Sequence, residues 1–474
     1  MKKPIAIDLF CGAGGMSEGM LQAGFHIVFS SDINEDVQKT YMNRHEQLGL
    51  THGYNTYFKR SDIKNLNKEK INSYIKRLKI FERKKVPQID AIFGGPPCQG
   101  FSRAGRRDKR DPRNVLFKEY IRIVDELKPK YVVMENVEGF LDTKLDGFKG
   151  HSGKRYIDHT LVSEILKEEF SKLKVKYNTI GPKVIDASNF GVPQRRRRVI
   201  FIAYRHDQKP PKFPIPITLD NKVTVGEALR DLVSSNQTQL VFDTNTYESE
   251  SRDGRTPKVD GNLPNYNGQI YNHELSTHTI DIAERFSLYR QGENKRAVIN
   301  RIKSEGINLA NYPSLLDNCV RKLNRDKQSI VEDFLNGNIT EDMLEILLTK
   351  KNSRSRLSSN EPSPTIVTLP DDYIHPFENR ILSVREMARL QSFDDSFEFL
   401  GKRTTGGPRR KVEVPQYTQV GNAVPPLLAK AIAIEINLAL KEKFSREKYH
   451  RVSYRNIKRK GKYRRKCMQK KIEK

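Results

Sequence analysis

The stretch IAIDLFCGAGGMSEGMLQA, residues 5–23, joins a short apolar run to a glycine-rich turn and an amphipathic segment. This order predicts a buried strand, Ile5–Phe10, that turns directly into a helix, Met16–Ala23. Glycine is favoured where the backbone bends sharply or approaches a ligand closely, so the three glycines of the turn indicate a ligand-binding loop. A tight turn without a ligand is the alternative that this stretch alone leaves open.

The same order of strand and helix recurs up to about residue 205. Further strands are predicted at Ile27–Ser31, Ala91–Phe93, Tyr131–Met134 and Val199–Ala203, and helices at Leu116–Leu127 and Leu161–Leu173. Such alternation predicts an α/β fold, a doubly wound and mostly parallel Rossmann-like sheet with helices on both faces. Ligands bind beyond the carboxyl ends of parallel strands, so polar residues that follow a strand are candidate site residues.

Composition divides the chain into four segments. Residues 1–205 carry the alternating pattern, and residues 206–378 are polar, begin with a proline-rich stretch and predict a smaller irregular domain. Apolar periodicity returns over 379–440, with helices predicted at Ser383–Gln391 and Leu427–Leu440. Residues 441–474 contain 16 Lys and Arg against three acids, which predicts a disordered basic tail.

The overall charge limits the classes of partner. Lys and Arg number 85 against 58 Asp and Glu, a formal net charge of +27 that indicates a polyanionic partner without choosing between DNA, RNA and acidic lipid.

No apolar run is long enough to predict a membrane span, and the first apolar run contains Asp8, which favours a buried strand over a signal peptide. The four cysteines lack C-x-x-C spacing, so we expect no zinc site or disulfide and a reducing cytoplasm.

Two acids follow predicted strands near the glycine turn. Asp32 lies 20 residues after Gly12, at the end of the second strand, where a carboxylate accepts hydrogen bonds from ribose hydroxyls. Asp62 could end a third strand. An acid at this distance favours a nucleotide-like ligand over an empty turn.

A second turn presents a cysteine. The sequence GGPPCQGFS, residues 94–102, follows the strand Ala91–Phe93, and its glycines and prolines fix a turn that places the Cys98 thiol at the sheet edge. Residues 103–113 carry six basic side chains, which predicts a mobile basic loop beside a nucleophile. A lone cysteine is more often a small core residue, but this turn is too polar and constrained for that role.

A carboxylate and a run of arginines complete the candidate residues. Glu135 ends the strand Tyr131–Met134, 37 residues after Cys98, so neighbouring strand ends could bring the two together. A structural hydrogen bond is the alternative role for this acid. In the run Arg195–Arg198, side chains alternate in extended chain, so Arg196 and Arg198 share one face and the other two form a solvated or nucleic-acid-contacting surface.

Together these motifs resemble the DNA cytosine-5 methyltransferase family, in particular prokaryotic restriction-modification methyltransferases. The resemblance covers residues 4–204 and about 362–440, in family order. It rests on these sequences: DLFCGAGG, the Asp32 strand end, GGPPCQGFS, DPRN-x-LF, MENV, GVPQRRRRV, REMARLQSF and QVGNAVPP.

The resemblance implies methyl transfer from S-adenosylmethionine to carbon 5 of a cytosine flipped out of double-stranded DNA, leaving S-adenosylhomocysteine. Cys98 matches the nucleophile that adds to carbon 6 of the ring, and Glu135 matches the acid that binds ring nitrogen 3. Arg196 and Arg198 match arginines that hold the base. The loop Gly100–Arg113 corresponds to a lid over the flipped base. The predicted DNA contacts lie in or beside this loop, at Gln99, Ser102, Arg103 and Arg106.

The resemblance also implies the cofactor contacts, and no metal. These positions are Phe10, Gly12, Gly14, Gly15, Asp32, Ile33, Asp62, Ile63, Pro96, Leu116, Asn422 and Ala423. The catalytic domain would be discontinuous, residues 1–205 and 379–440, with residues 206–378 as the target-recognition domain. One departure is Asp394 after Phe393, where the family often has proline; an aspartate there could cap a turn.

Three other functions share some of these features: a transfer-RNA methyltransferase, a catalytically inactive DNA-binding regulator, and a small-molecule oxidoreductase with a Rossmann fold. Gln99-Gly100-Phe101-Ser102 resembles the DNA branch of the family, intact Cys98 and Glu135 argue against inactivity, and an oxidoreductase leaves the cysteine turn and basic tail unexplained. The resemblance further predicts a monomer in the prokaryotic cytoplasm, with a possible cognate restriction endonuclease and no membrane partner.

Overall fold

A computed structural model describes residues 3–97, 116–233, 245–264, 269–349, 351–405, 409 and 412–441. In chain order its strands are β1 Ile5–Leu9, β2 His26–Asp32, β3 Tyr57–Arg60, β4 Ala91–Gly94, β5 Tyr131–Val137, β6 Lys144–Leu145, β7 Thr160–Leu161, β8 Tyr177–Asp186, β9 Arg197–Arg205, β10 Ser355–Arg356 and β11 Tyr373–Ile374.

The helices begin and end as follows: α1 Gly15–Gln22, α2 Glu35–Gln47, α3 Lys68–Lys76, α4 Leu116–Leu127, α5 Val162–Ser171, α6 Val225–Leu229, α7 Thr246–Asp253, α8 Ile280–Ser287, α9 Lys295–Glu305, α10 Pro313–Leu323, α11 Lys327–Leu335, α12 Glu341–Leu348, α13 Val384–Leu390, α14 Gln416–Asn422 and α15 Pro426–Leu440.

Seven strands form one sheet in the order β3-β2-β1-β4-β5-β9-β8. Strands β1 to β5 pair in parallel, whereas β9 runs antiparallel to both β5 and β8. The α/β fold with a mostly parallel sheet is therefore confirmed. The carboxyl ends of β1, β2, β4 and β5 meet at one edge, and the antiparallel β9 begins at that same edge with Arg197.

Side chains alternate across the sheet and build a core on each face. Ile5, Ile7 and Leu9 of β1 face a core that includes α3, α4 and α5. Ala6 faces the opposite core, which contains α1 and α15. The last described helix thus returns from the far end of the chain to pack on the helix that follows the glycine turn.

Residues 206–378 contain more regular structure than the sequence indicated. Helices α8 to α12 surround an apolar core of their own, with Val298, Ile302, Leu315, Leu316 and Cys319 among its members. Several of these helices begin at a side chain that caps the first turn, including Asn294, Asp326 and Thr340. Helices α8 and α10 are amphipathic, so their periodicity was present in the sequence, but it was missed within this largely polar region.

Within the described residues, no single helix is both long and apolar enough to cross a membrane. The bent pair α14–α15 reaches that length and apolarity only when its two helices are taken together, and α15 packs on α1.

Candidate active site

The glycine turn joins β1 to α1 at the carboxyl edge of the sheet. Gly12 and Gly14 have φ angles of 54° and 104°, which are left-handed conformations that glycine adopts without strain. The Gly12 amide donates to Asp32 Oδ2 at 3.1 Å, and the Asn34 amide donates to Asp32 Oδ1 at 3.0 Å. Burial raises the pKa of Asp32, and these two hydrogen bonds oppose that rise. The structure therefore brings Asp32 to the turn, 20 residues from Gly12 along the chain.

A buried chain of hydroxyl groups supports this turn. Ser17 Oγ donates to Asp8 Oδ2 at 2.6 Å, and the Tyr41 hydroxyl lies 2.6 Å from both Ser17 Oγ and Ser30 Oγ. The Tyr41 ring packs so close to Gly14 that a Cβ there would lie 3.1 Å from it. Asp8 is 1% exposed, and burial raises its pKa to about 7. This support was not predicted; a charged residue inside a strand predicted to be buried was the only signal for it.

The predicted adenosine contacts cluster where β2 and β3 end. Ile33 follows β2 directly and is 66% exposed. The Ser61 amide donates to the Asp32 carbonyl, which sets Asp62 beside the end of β2. Asp62 uses its carboxylate to cap the next turn through the Lys64 amide, and Ile63 is buried in the core. Phe10 and Leu116 both pack against the same core, half-buried.

The other end of the cofactor region is closed by the link between α14 and α15. Asn422 is exposed and Ala423 is buried. A Cβ at Gly15 would overlap the carbonyl oxygen of Val424, so the start of α1 and this link touch directly. The structure thus places Asn422 and Ala423 next to the glycine turn despite about 400 residues of intervening chain.

Glu135 lies at the end of β5, beside the turn that leads to Cys98. Its Oε1 pairs with Arg198 Nε at 2.9 Å. A Cβ at Gly95 would lie 3.1 Å from Glu135 Oε2, and Asn136 Nδ2 donates to the Pro96 carbonyl at 3.1 Å. Burial raises the pKa of Glu135, and the charges of Arg198 and Arg196 oppose the rise. A carboxyl whose pKa is raised by burial therefore lies beside Gly95 and Pro96, the residues that lead to Cys98.

The four arginines divide as the alternation predicts. Arg195 pairs with Glu361 and Arg197 with Glu138, both on the exposed side. Arg196 is buried, 2% exposed, and donates to the carbonyl oxygens of three residues, namely Ile366, Gly421 and Ala423. Burial, and secondarily the charge of Arg198, lowers the pKa of Arg196. These contacts join Arg196 to two other chain segments, at Ile366 and at the end of α14, whereas Arg198 borders the site.

The remaining predicted residues lie outside the described part of the chain. These are Cys98, Gln99, Ser102, Arg103 and Arg106. The last described residue before Cys98 is Pro97. Gly95 and Pro96, which lead to it, lie beside Glu135 and Asn136. Among the described residues, no group of three or more His, Cys, Asp or Glu side chains is arranged to hold a metal ion.

Comparison with known proteins agrees with this geometry. A sequence model of the family described as C-5 cytosine-specific DNA methylase matches residues 5–438. The chain is 32% identical over 443 residues to the Type II methyltransferase M.DdeI of Desulfomicrobium norvegicum, covering 91% of this chain and 88% of the relative. It is 31% identical to the Type II methyltransferase M1.HphI of Haemophilus parahaemolyticus over 433 residues, covering 90% of this chain and 85% of that protein.

The fold is also found in a solved structure. A putative DNA modification methyltransferase encoded within an Escherichia coli prophage superposes with a TM-score of 0.60 at 23% sequence identity. The match covers 92% of this chain and 99% of that one. At this identity the likeness concerns the fold.

Proposed function

The chain belongs to the C-5 cytosine-specific DNA methylase family and is a DNA (cytosine-5) methyltransferase, and from this we propose that it works through a covalent adduct between Cys98 and a flipped-out cytosine. The observation that carries the proposal is the Glu135–Arg198 pair beside Gly95 and Pro96. That pair stands where the cysteine turn begins, so acid and nucleophile would act on one ring.

We propose S-adenosylmethionine as the methyl donor, held by the glycine turn. The fit is supported by the space at the turn, since a Cβ at Gly12 would meet no atom within 4 Å. Asp32 offers carboxylate oxygens for ribose hydroxyls, and the exposed Ile33 offers an apolar surface for adenine. Asp62, Ile63, Pro96, Leu116, Asn422 and Ala423 would line the rest of the site. When bound, this cofactor supplies an electrophilic methyl group.

The chemistry explains why a thiol and an acid are both needed. Carbon 5 of cytosine is a weak nucleophile, and addition of the Cys98 thiolate to carbon 6 makes it an enamine carbon. Glu135 donates a hydrogen bond or proton to ring nitrogen 3, which accepts the electron density of that addition. After methylation, water accepts the proton from carbon 5, the double bond to carbon 6 re-forms, and the Cys98 thiolate leaves. Nitrogen 3 returns its proton to Glu135, which restores the enzyme. Arg198 holds Glu135 in place.

The cytosine has to leave the helix to reach this edge, at a cost of a few kcal/mol. We propose that the loop of residues 100–113 closes over it, with Gln99, Ser102, Arg103 and Arg106 contacting DNA. We propose also that residues 206–378 are the target-recognition domain, which recognises the base sequence. Support for the second point comes from Glu361 and Ile366, which contact Arg195 and Arg196 at the border of the site.

The test is a single substitution, Cys98→Ser, assayed with labelled S-adenosylmethionine and double-stranded DNA. We expect label at carbon 5 of cytosine with the unchanged protein, none with Cys98→Ser, and equal cofactor binding by both. Cys467→Ser, which removes a thiol from the basic tail, is the matched control and should leave transfer unchanged. Methyl transfer by the Cys98→Ser protein would exclude the covalent mechanism.

We propose further that the protein protects DNA from a cognate restriction endonuclease, acting as a monomer in the prokaryotic cytoplasm. The names of the curated relatives, Type II methyltransferases, support the first point. Bisulfite sequencing of DNA from cells that express the protein would give the methylated sequence. That DNA should then resist endonucleases that cut this sequence and remain sensitive to those that cut other sequences.

A further inference from the structure

Helix α1 contains a buried charge that the proposed chemistry does not use. Seven of its eight residues are buried. Ser17 contacts Asp8, and Gly15 and Gly19 lie against the backbone of the α14–α15 link and of α15. The remaining polar group is Glu18, whose amide donates to the Gly14 carbonyl at 2.9 Å. Glu18 therefore lies one helical turn from the glycine turn.

Glu18 bridges α2 and the middle region of the chain. Arg44 Nε and Nη2 donate to its two carboxylate oxygens, each at 2.9 Å. The Thr256 hydroxyl donates to Glu18 Oε2. Gln22 Nε2, at the end of α1, donates to the same Thr256 hydroxyl at 3.0 Å. One side chain of the region 206–378 thus makes two contacts with the helix that carries the glycine turn.

Asp394 fixes the backbone on which Thr256 stands. It is 1% exposed and accepts from the amides of Arg255 at 2.7 Å and Thr256 at 3.3 Å. It also accepts from the Arg255 guanidinium at 2.9 Å and lies 3.6 Å from Arg44. Proline, which the family often has at this position, could make none of these side-chain contacts. The aspartate holds a distant segment of chain rather than only capping its own turn.

The segment that follows runs away from the active site. The Val259 amide donates to the Leu48 carbonyl at 2.9 Å, and Lys3 Nζ donates to the Val259 carbonyl. Lys3 precedes β1, so these contacts lie at the amino edge of the sheet, opposite the site. Residues 254–259 therefore form a strap along α1 and α2 that leads away from the site.

Burial of four charged groups is a costly way to stabilise a fold. Their mutual attraction roughly balances the loss of hydration, and well-packed apolar side chains stabilise as much or more. What such a network does supply is a defined relative position, since each donor faces a particular acceptor. Arg44, Glu18, Arg255 and Asp394 therefore specify where the strap sits on α1.

We propose that Glu18 and Asp394 are positioning residues that hold Thr256 of the strap against α1 and thereby set the affinity of the glycine turn for its cofactor. The inference rests on the proposed binding of S-adenosylmethionine at that turn. Gly14 caps α1 and Gly15 is its first residue, and the Glu18 amide donates to the Gly14 carbonyl. A displacement of Glu18 would therefore displace the backbone that would contact the cofactor.

The primary variant is Thr256→Val, which removes the hydroxyl while keeping the shape and the Glu18–Arg44 pair. We expect the Kd for S-adenosylmethionine, measured by titration calorimetry, to rise about tenfold, in line with loss of a hydrogen bond to a charged group. Thr256→Ser keeps the hydroxyl that donates to Glu18, so its Kd should equal that of the unchanged protein. The rate at saturating cofactor and the methylated sequence should stay the same. Asp394→Asn removes the charge facing both guanidinium groups and should weaken binding further.

Glu293→Gln is the matched control, since it breaks a comparable ion pair, Glu293–Arg301, in the helical part of the middle region. It should lower the melting temperature and leave the cofactor Kd unchanged. An unchanged Kd in folded Thr256→Val, or an equal loss in Glu293→Gln, would overturn the positioning role. If the unchanged protein bound no S-adenosylmethionine, the proposed cofactor itself would be wrong and this inference with it.

Discussion

In the proposed mechanism, Glu135 has to be both buried and able to hold a proton. Ring nitrogen 3 of cytosine is an acceptor, so the acid would act there only in its protonated form. Burial raises its pKa above that of an exposed glutamate, and the positive charges of Arg198 and Arg196 oppose this rise. Arg198, which pairs with the carboxylate, therefore also lowers its proton affinity, and the charge of Arg196 acts in the same direction. A lone buried acid would bind its proton more tightly, and a fully paired one would lose it at lower pH.

Glu135→Gln should lower the single-turnover rate by about 10²- to 10⁴-fold, the usual contribution of a general acid. The amide can still donate a hydrogen bond but cannot transfer a proton. The rate of the unchanged protein should fall as pH rises through the elevated pKa of Glu135, and this limb should vanish in the variant. Glu138→Gln, on the exposed side with Arg197, is the control and should change the rate only slightly. A persisting alkaline limb in Glu135→Gln would assign it to another group.

Asp8 predicts a pH dependence of stability. Its pKa in the folded protein is about 7, raised by burial from 3.8. The folded state then binds a proton that the unfolded state has lost between these values. The free energy of unfolding contributed by Asp8 therefore decreases as pH rises from about 4 to about 7, by up to about 1.4 kcal/mol per pH unit.

Asp8→Asn should remove this contribution. Asparagine keeps an oxygen that accepts from Ser17, so the hydroxyl chain to Tyr41 and Ser30 remains. Urea unfolding at several pH values from 5 to 8 would measure the difference between the two proteins. That difference should grow in favour of the variant up to about pH 7 and then level off. A difference that does not depend on pH would mean that Asp8 stays ionised in the folded protein.

Helix α1 shows how packing overrules helix propensity. Alanine is favoured over glycine inside a helix by about 1 kcal/mol. At Gly19, however, a Cβ would overlap the backbone of Ala429 and Lys430 in α15. Gly19→Ala should therefore destabilise the protein by about 1–3 kcal/mol, the usual cost of overpacking. Denaturant unfolding tests this, with Asn300→Ala on the exposed face of α9 as a control that should change stability by less than about 0.7 kcal/mol. A more stable Gly19→Ala protein would mean that α1 and α15 separate readily.

The strands predicted correctly are those whose two faces are both buried, and the helix predicted best is strongly amphipathic. Strands β1, β2, β4 and β5 are near-continuous apolar runs, and α4 begins and ends where its periodicity does. Strand β8 was missed because it is an edge strand with exposed polar residues and a Gly181-Pro182 interruption. The helices of 280–348 were missed because the region was interpreted from its polar composition, although α8 and α10 have distinct apolar faces.

The site follows the same division. The Gly12–Asp32 contact could be predicted because the ends of neighbouring parallel strands meet at one edge of the sheet. The Glu135–Arg198 pair could not, because it depends on β9 running antiparallel to β5. The roles of Arg196, Tyr41 and Asp394 could not. Each joins segments far apart in sequence through buried hydrogen bonds, and no local pattern encodes which carbonyl or hydroxyl a buried side chain will meet.

Charge is distributed unevenly over the chain. Residues 1–205 have 39 Lys and Arg against 24 acids, and residues 441–474 have 16 against three. Residues 206–378, the proposed recognition region, have only 21 against 25. Lys and Arg supply the electrostatic attraction to phosphates, whereas base edges are recognised by hydrogen bonds and shape. This distribution assigns most of the phosphate affinity to the catalytic part and the tail, and leaves the middle region to discriminate between sequences.

Removal of residues 441–474 should therefore weaken DNA binding without altering the sequence methylated. Each phosphate contact contributes a slope of about −0.9 to the dependence of log K on log salt concentration. A tail with 16 basic residues should make the slope of the full chain several units steeper than that of the truncated one. A full-length variant with those residues changed to glutamine separates charge from length and should behave like the truncation. Fluorescence anisotropy over a range of salt concentrations measures the slope, and bisulfite sequencing reports the sequence. Affinity for phosphates is independent of base sequence and cannot alter the preference between sites. A changed methylation sequence in either variant would therefore mean that the tail takes part in sequence recognition.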